Sequence, residues 1–223
     1  MILQHIARRH VTDNVWSYDF EPETRLKWIA GQFIRVGLPH PNPDAGGTKR
    51  FFTISSAPHE QVITITTRLT GSSFKRALDN LKPHDNIQLL DTPAGDFTWP
   101  QTTLGIVFVA QGIGITPFYS MMKDRLYRSL PVQATIIYAG RTDRHALFAG
   151  QLHKWSHEHP ELVVHRTASP VTPRMLTQHI IPANSFIMAS GPSSLIALLS
   201  PPYNMPGRQL KTDFFPGYIT EDY

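Results

Sequence analysis

The spacing of apolar residues changes near Pro100, and the two halves of the chain predict different structures. Before this point, short runs rich in Val, Ile, Thr and Phe alternate with turn residues, as at 27–36 and 61–68. This pattern is typical of an antiparallel sheet closed as a small barrel. After it, apolar strand-sized runs alternate with helical segments. That alternation predicts an α/β domain with a parallel sheet and helices on both faces.

The second half can be divided into individual elements. We expect strands at 105–110, 133–139, 161–166 and 185–189, and helices at 117–129, 146–157 and 193–199. The stretch 39–47, rich in Pro and Gly, is interpreted as a barrel loop. We therefore predict two domains, at residues 1–101 and 102–223.

Composition excludes several classes of chemistry. The 223 residues contain no cysteine, which excludes disulfides, cysteine-ligated iron-sulfur clusters and thiolate catalysis within them. The net charge of +4 mildly favours acidic partners, although a solvated surface with a slight basic excess is the simpler explanation. The longest apolar runs are strand-sized and the N-terminus lacks a signal-peptide core. We expect a cytoplasmic protein without a membrane span or a nucleic-acid partner.

The eleven histidines raise the question of a metal site. His153, His157 and His159 lie close together, and the first two can share a helical face. No third ligand follows at a familiar spacing. We predict an exposed polar helix end here and no metal site.

The first chemical motif lies at residues 50–58. Arg50, Phe51, Phe52 and Thr53 place a guanidinium, two rings and a hydroxyl within four residues. These groups suit a phosphate, a flavin ring face and a ring nitrogen, although an Arg beside aromatic residues is usually part of a surface strand. Downstream, Gly71, Ser72 and Ser73 precede an amphipathic run. Such a helix start is a common place for a phosphate, and capping of the helix by either serine is the alternative.

The second motif is the glycine turn at residues 110–117, which follows an apolar strand. Gly112 and Gly114 let the backbone approach a pyrophosphate, and Thr116 and Pro117 open the next helix, whose dipole faces the anion. A lone glycine turn is often only a turn. The order of the two motifs nevertheless suggests a flavin site followed by a dinucleotide site.

Together the motifs resemble the ferredoxin-NADP reductase superfamily. Residues 50–53 match its Arg-x-Tyr-Ser/Thr pattern, with Phe52 replacing Tyr. Residues 111–117 match its Gly-Gly-x-Gly-x-Thr-Pro turn, with Gln111 replacing the first glycine. Ser190 stands where the family often has the cysteine of Cys-Gly-Pro. Near the C-terminus, residues 213–215 match an acidic-x-aromatic ending.

The resemblance implies a six-stranded flavin barrel, a Rossmann-like domain and a role for each matched residue. The flavin pyrophosphate would be held by Arg50, Gly71, Ser72 and Ser73. Phe52 would pack on the ring or ribityl chain, and the Thr53 hydroxyl would lie near flavin N5. Residues 92–97 would close the barrel beside the flavin. The cofactor set as a whole is Arg50, Phe51, Phe52, Thr53, Thr67, Arg68, Gly71, Ser72, Ser73, Gly112, Gly114, Thr116, Pro117, Arg141, Arg166, Gly191 and Pro192.

The catalytic group implied by the resemblance is Thr53, Ser190, Asp213 and Phe215, with Phe215 as a movable lid on the flavin. Arg166, at the end of the third strand, and Arg141, after the second, would clamp the 2′-phosphate of NADPH. Arginine at a strand end is also common on ordinary surfaces, so NADH stays open.

The implied activity is that of an NAD(P)H-dependent flavin oxidoreductase with FAD, which the family favours over FMN. The electron acceptor would be ferredoxin, flavodoxin, a quinone or another subunit. Because of Gln111 and Ser190, a flavin-binding electron-transfer or regulatory subunit without nicotinamide turnover is the alternative. A purely structural two-domain protein is the third possibility.

Overall fold

The computed structural model describes residues 1–140, 146–172, 184–203 and 208–213. The first sheet contains six strands and one helix follows its fifth strand. These elements are β1 (Ile2–Thr12), β2 (Val15–Pro22), β3 (Phe33–Gly37), β4 (Lys49–Thr53), β5 (Ile63–Arg68), α1 (Ser73–Asp79) and β6 (Asn86–Leu89).

The six strands form the predicted barrel. Their order is β4-β3-β6-β1-β2-β5, and all neighbours are antiparallel. The two end strands are joined where Ile54 bridges Ile65 and the Ser55 amide donates to the Thr64 carbonyl at 2.9 Å. Apolar side chains such as Leu3, Tyr18 and Ile34 fill the interior. The closed sheet therefore confirms the predicted barrel.

The second sheet is parallel and is wound with helices. Its elements are β7 (Gly105–Gln111), α2 (Thr116–Tyr127), β8 (Ala134–Ala139), α3 (Ala149–Glu158), β9 (Leu162–Thr167), β10 (Ser185–Ser190), α4 (Ser193–Tyr203) and β11 (Arg208–Asp213). The strand order is β11-β10-β7-β8-β9. Phe118 of α2 and Leu152 of α3 belong to one core cluster, whereas Leu195 of α4 belongs to another. Helices thus cover both faces, as the Rossmann-like pattern predicts.

Two local expectations were wrong. The stretch 27–32 is not part of a strand, and β3 begins only at Phe33. The reason is Gly31, whose φ is +98° and at which a Cβ would lie 2.2 Å from the Phe97 carbonyl oxygen. An extended residue with a side chain does not fit so close an approach. Strand β11 was also missed, because it is held by residue-by-residue pairing with β10 rather than by an apolar pattern of its own.

The two sheets meet through side chains of α2 and β11. The Ser120 hydroxyl donates to the Ser56 carbonyl at 2.6 Å, and Lys123 pairs with Glu60. Lys211 of β11 pairs with Asp96 at 2.7 Å. Within the described part of the chain, no helix has both the length and the apolar content needed to cross a membrane. The predicted division at residues 101 and 102 remains a proposal.

Candidate functional site

Arg50 is held toward the start of α1 by the barrel loop. Its side chain is 13% exposed. Its Nη1 donates to the carbonyl oxygens of Gly46, Gly47 and Lys49, and its Nη2 lies 3.5 Å from Asp44 Oδ1. The guanidinium also lies over the ring of Phe74, 5.2 Å from its centroid. Arg50 is therefore fixed in a mostly buried position beside α1.

The beginning of α1 is engaged by the same loop. Ser72 is the N-cap, and its hydroxyl accepts from the Lys75 amide at 3.3 Å; its contact with a phosphate stays a prediction. The Ser73 amide donates to Asp44 Oδ2 at 2.6 Å, and its hydroxyl oxygen accepts from the Asp44 amide at 2.9 Å. The Ser73 hydroxyl also lies 2.9 Å from His40 Nε2. Asp44 thus bridges the helix start and Arg50.

The contacts of the Asp44 carboxylate indicate that this site suits an anion. The pKa of Asp44 is lowered, first by the Ser73 amide and then by the Ser73 hydroxyl, the Gly46 amide and the charge of Arg50. A lowered pKa means that these groups favour the ionised carboxylate. The donors predicted to bind the flavin pyrophosphate therefore already hold an oxyanion, which fits the chemistry of a phosphate site.

Phe51 and Phe52 lie on opposite faces of β4. Phe52 is 5% exposed and packs in the barrel core, with its ring 5.9 Å from that of Phe74. Phe51 is 38% exposed and contacts Phe33 edge to face at 5.7 Å. Alternation along a strand explains this division. Thr53, 8% exposed, ends the strand. Contacts of these three residues with a flavin stay predictions.

The end of β5 carries Thr67 and Arg68, which are both buried. Arg68 Nη1 donates to Asn14 Oδ1 at 2.6 Å. Strand β5 also contacts the turn at residues 112–115. The strand that carries Thr67 and Arg68 of the predicted cofactor set is therefore a neighbour of the predicted nicotinamide turn.

The glycine turn is a short 3₁₀ segment between β7 and α2. Gly112 has a φ of +56°, in the left-handed region. At Gly114, a Cβ would lie 2.1 Å from the Ser190 carbonyl oxygen, so the fold itself requires glycine there. Thr116 begins α2 and Pro117 lies in its first turn. The requirement for Gly114 thus arises from packing against β10 and not only from a ligand.

The ends of β10 and β11 bring Ser190 and Asp213 together beside this turn. The two residues are paired in register, and the Ser190 hydroxyl lies 3.5 Å from Asp213 Oδ2. Burial raises the pKa of Asp213 to about 6, against a smaller lowering by the Ser190 hydroxyl. Gly191 and Pro192 follow directly, and the Pro192 carbonyl accepts from the Leu195 amide of α4. A carboxyl group whose pKa is raised to about 6 therefore lies next to Ser190, whose carbonyl oxygen packs against Gly114.

Some of the other predicted site residues lie in the described part of the chain, and two lie outside it. Arg166 is exposed and lies within β9, which continues to Thr167. Arg50 and Ser73 are brought together by Asp44, and Gly71 directly precedes the N-cap of α1. Arg141 and Phe215 lie outside the described residues, so their roles stay predictions.

Sequence reasoning missed Asp44, His40 and Tyr138. The tertiary contacts of Asp44 and His40 with Ser73 cross about thirty residues of chain, as the separations of 29 and 33 show. The only available signal was an aspartate followed by Ala-Gly-Gly in a loop, which is typical of turns. Tyr138 occupies an apolar strand and gave no polar signal.

Comparison with known proteins supports the fold and the resemblance. The family model described as the oxidoreductase NAD-binding domain matches residues 108–199. The chain is 27% identical over 143 residues to the ferredoxin reductase component of 3-ketosteroid-9-alpha-monooxygenase from Mycobacterium tuberculosis, covering 63% of this chain and 39% of that protein. It is 29% identical over 126 residues to ferredoxin-NADP reductase B from Sorangium cellulosum, covering 55% and 50%.

A solved structure of a ferredoxin NADP+ reductase from Neisseria gonorrhoeae with bound FAD and NADP has the same architecture. Its TM-score is 0.78 at 16% identity, covering 96% of this chain and 97% of that one. The chain spans only half or less of the length of the two curated relatives above. These comparisons confirm the predicted two-domain fold and the resemblance to the superfamily.

Proposed function

Because the chain resembles the ferredoxin-NADP reductase superfamily in sequence and fold, we propose that it is an FAD-dependent oxidoreductase that takes hydride from NAD(P)H. The observation that carries the proposal is the contact between β5 and the glycine turn. Through it, the barrel strand that carries Thr67 and Arg68 adjoins the predicted nucleotide turn of the parallel domain. Such a junction is what hydride transfer between two cofactors requires.

The flavin would be held at its pyrophosphate by Arg50, Gly71, Ser72 and Ser73. Of these, Arg50 and Ser73 must first release Asp44. Thr53, at the barrel end, is the hydroxyl proposed to lie near the reacting edge. Bound FAD would supply the acceptor for hydride and the means of passing single electrons onward. The protein contributes binding, orientation and exclusion of water.

The nicotinamide nucleotide would bind at the turn 112–117. Its pyrophosphate would meet the start of α2, which has no side-chain cap. Ser190 and Asp213 lie on the neighbouring strand ends, where they would border the nicotinamide. Arg166 on β9 is proposed to favour NADPH over NADH.

The electron acceptor is proposed to be an acidic carrier such as a ferredoxin or a flavodoxin. The relatives include a ferredoxin reductase component and a ferredoxin-NADP reductase. The absence of cysteine in these 223 residues means that a cysteine-ligated cluster would lie on a partner or on another segment. The net charge of +4 favours an acidic surface on that carrier. A cytoplasmic location stays a prediction.

The test is loading with FAD followed by anaerobic titration with NADH and with NADPH. We expect the absorbance of oxidised FAD to be bleached stoichiometrically by at least one nucleotide. FAD binding without bleaching would replace the proposal with the electron-transfer or regulatory subunit. Failure to bind FAD would instead support the third possibility, a purely structural two-domain protein.

A further inference from the structure

The hydroxyl of Tyr138 lies at a junction of three segments. Tyr138 is 1% exposed near the end of β8. Its hydroxyl donates to the Gly112 carbonyl oxygen at 3.3 Å and accepts from the Leu147 amide at 3.0 Å. It therefore links β8, the glycine turn and the segment that leads into α3.

The direction of the Gly112 carbonyl determines the direction of the next amide. A peptide unit is planar and trans, so the Ile113 N–H points opposite to the Gly112 C=O. Because that carbonyl points to the buried phenol, the Ile113 amide points away from the phenol. Gly112 has a φ of +56°, and a glycine allows its flanking peptide planes to rotate more freely than any other residue does. A hydrogen bond to the carbonyl restricts this rotation.

Two arginine side chains act on the phenol by their charge. Arg68 of β5 and Arg166 of β9 both act on Tyr138 by their charges, one from each domain. Burial raises the pKa of Tyr138 more than these charges lower it. The hydroxyl therefore keeps its proton at neutral pH and remains a donor to Gly112.

On this geometry, we propose that Tyr138 is a positioning residue that aims the backbone amide of the glycine turn at the pyrophosphate of the nicotinamide nucleotide. The proposal rests on the proposed function, because it concerns the nucleotide site of that reaction. Tyr138 itself touches neither cofactor in this scheme. Its effect passes through the peptide unit between Gly112 and Ile113.

The test is Tyr138→Phe, which removes only the hydroxyl. The matched control is Tyr18→Phe, which removes another buried phenol hydroxyl, 3.1 Å from Asp79 Oδ1 in the barrel. Reduction of the FAD-loaded variants is measured with NADPH, with NADH and with 1-benzyl-1,4-dihydronicotinamide, a hydride donor that has no phosphate. Melting temperature and FAD affinity are measured in parallel.

We expect Tyr138→Phe to raise the KM of the preferred nucleotide about five- to tenfold, the effect of losing one neutral hydrogen bond. Its rate with the phosphate-free donor should equal that of wild type, and Tyr18→Phe should leave both rates unchanged. Equal losses with both kinds of donor, or an unchanged KM, would overturn the positioning role alone. A wild-type protein that is reduced only by the phosphate-free donor would overturn the proposed function together with this inference.

Discussion

The carboxyl group of Asp213 allows a quantitative prediction about pH. It lies at the end of β11 beside Ser190, and burial raises its pKa from 3.8 to about 6. Asp213→Asn keeps the shape of the side chain but removes its charge. The variant therefore isolates the free energy of burying an ionised carboxylate at this position.

The size and the sign of the effect follow from proton linkage. A rise of roughly two pKa units corresponds to about 3 kcal/mol between the two protonation states. Between pH 4 and pH 6, the folded state binds this proton more tightly than the unfolded state does. The group therefore lowers the free energy of unfolding as the pH rises through this window, and its effect is complete above about pH 7.

The assay is urea denaturation of the wild type and Asp213→Asn at pH 4.5 and at pH 8. We expect the variant to be more stable by about 3 kcal/mol at pH 8 and by about 1 kcal/mol at pH 4.5. The control is Glu23→Gln, an exposed carboxylate after β2, which should show no such difference. A gain of equal size at both pH values, or no gain at pH 8, would refute the burial argument.

In FAD-loaded protein, an inflection near pH 6 in the rate of nucleotide oxidation should vanish in the same variant.

Three further predictions concern the cofactors. Arg50→Ala should weaken FAD binding about ten- to hundredfold through loss of a charge-assisted contact, whereas Arg128→Ala, whose partner Asp124 lies on α2, should not. Equal FAD affinities of the wild type and Arg50→Ala, measured by fluorescence quenching, would remove Arg50 from the site. Arg166→Ala should raise the Kd of NADPH and leave that of NADH nearly unchanged, and equal losses would contradict the 2′-phosphate assignment. Phe215→Ala should alter the flavin spectrum and tighten nicotinamide binding if the ring must be displaced, and an unchanged spectrum would argue against a lid.

The overall fold was predictable because both domains carry strong periodic patterns. The apolar runs of β7, β8 and β10 and the glycine turn lie within a few residues of their predicted positions. The failures involve tertiary contacts. The close approach of Gly31 to the Phe97 carbonyl keeps 27–32 out of the strand that begins at Phe33, and β11 forms only against β10. Neither partner is adjacent in the sequence.

The candidate site was predictable as a set of residues but not as a hydrogen-bond network. Residues 50–53 were recognised by type, and strand alternation explains why only one of the two rings is exposed. The partners of Ser73 and Gly112 come from a loop and a strand that showed no chemical pattern. Their roles depend on distances that the sequence does not contain.

Asp44 already contacts Ser73 and Arg50, so the measured FAD affinity includes the free energy of displacing Asp44 from them. Buried polar groups in proteins are nearly always hydrogen-bonded, and here the Ser73 amide and hydroxyl are satisfied by Asp44 and His40. A pyrophosphate that binds to these donors exchanges one anion for another, so the observed affinity is a difference between two favourable states. Asp44→Asn weakens the internal competitor and leaves Arg50 in place. It should therefore tighten FAD binding, whereas weaker binding in this variant would show that Asp44 organises the site instead of competing for it.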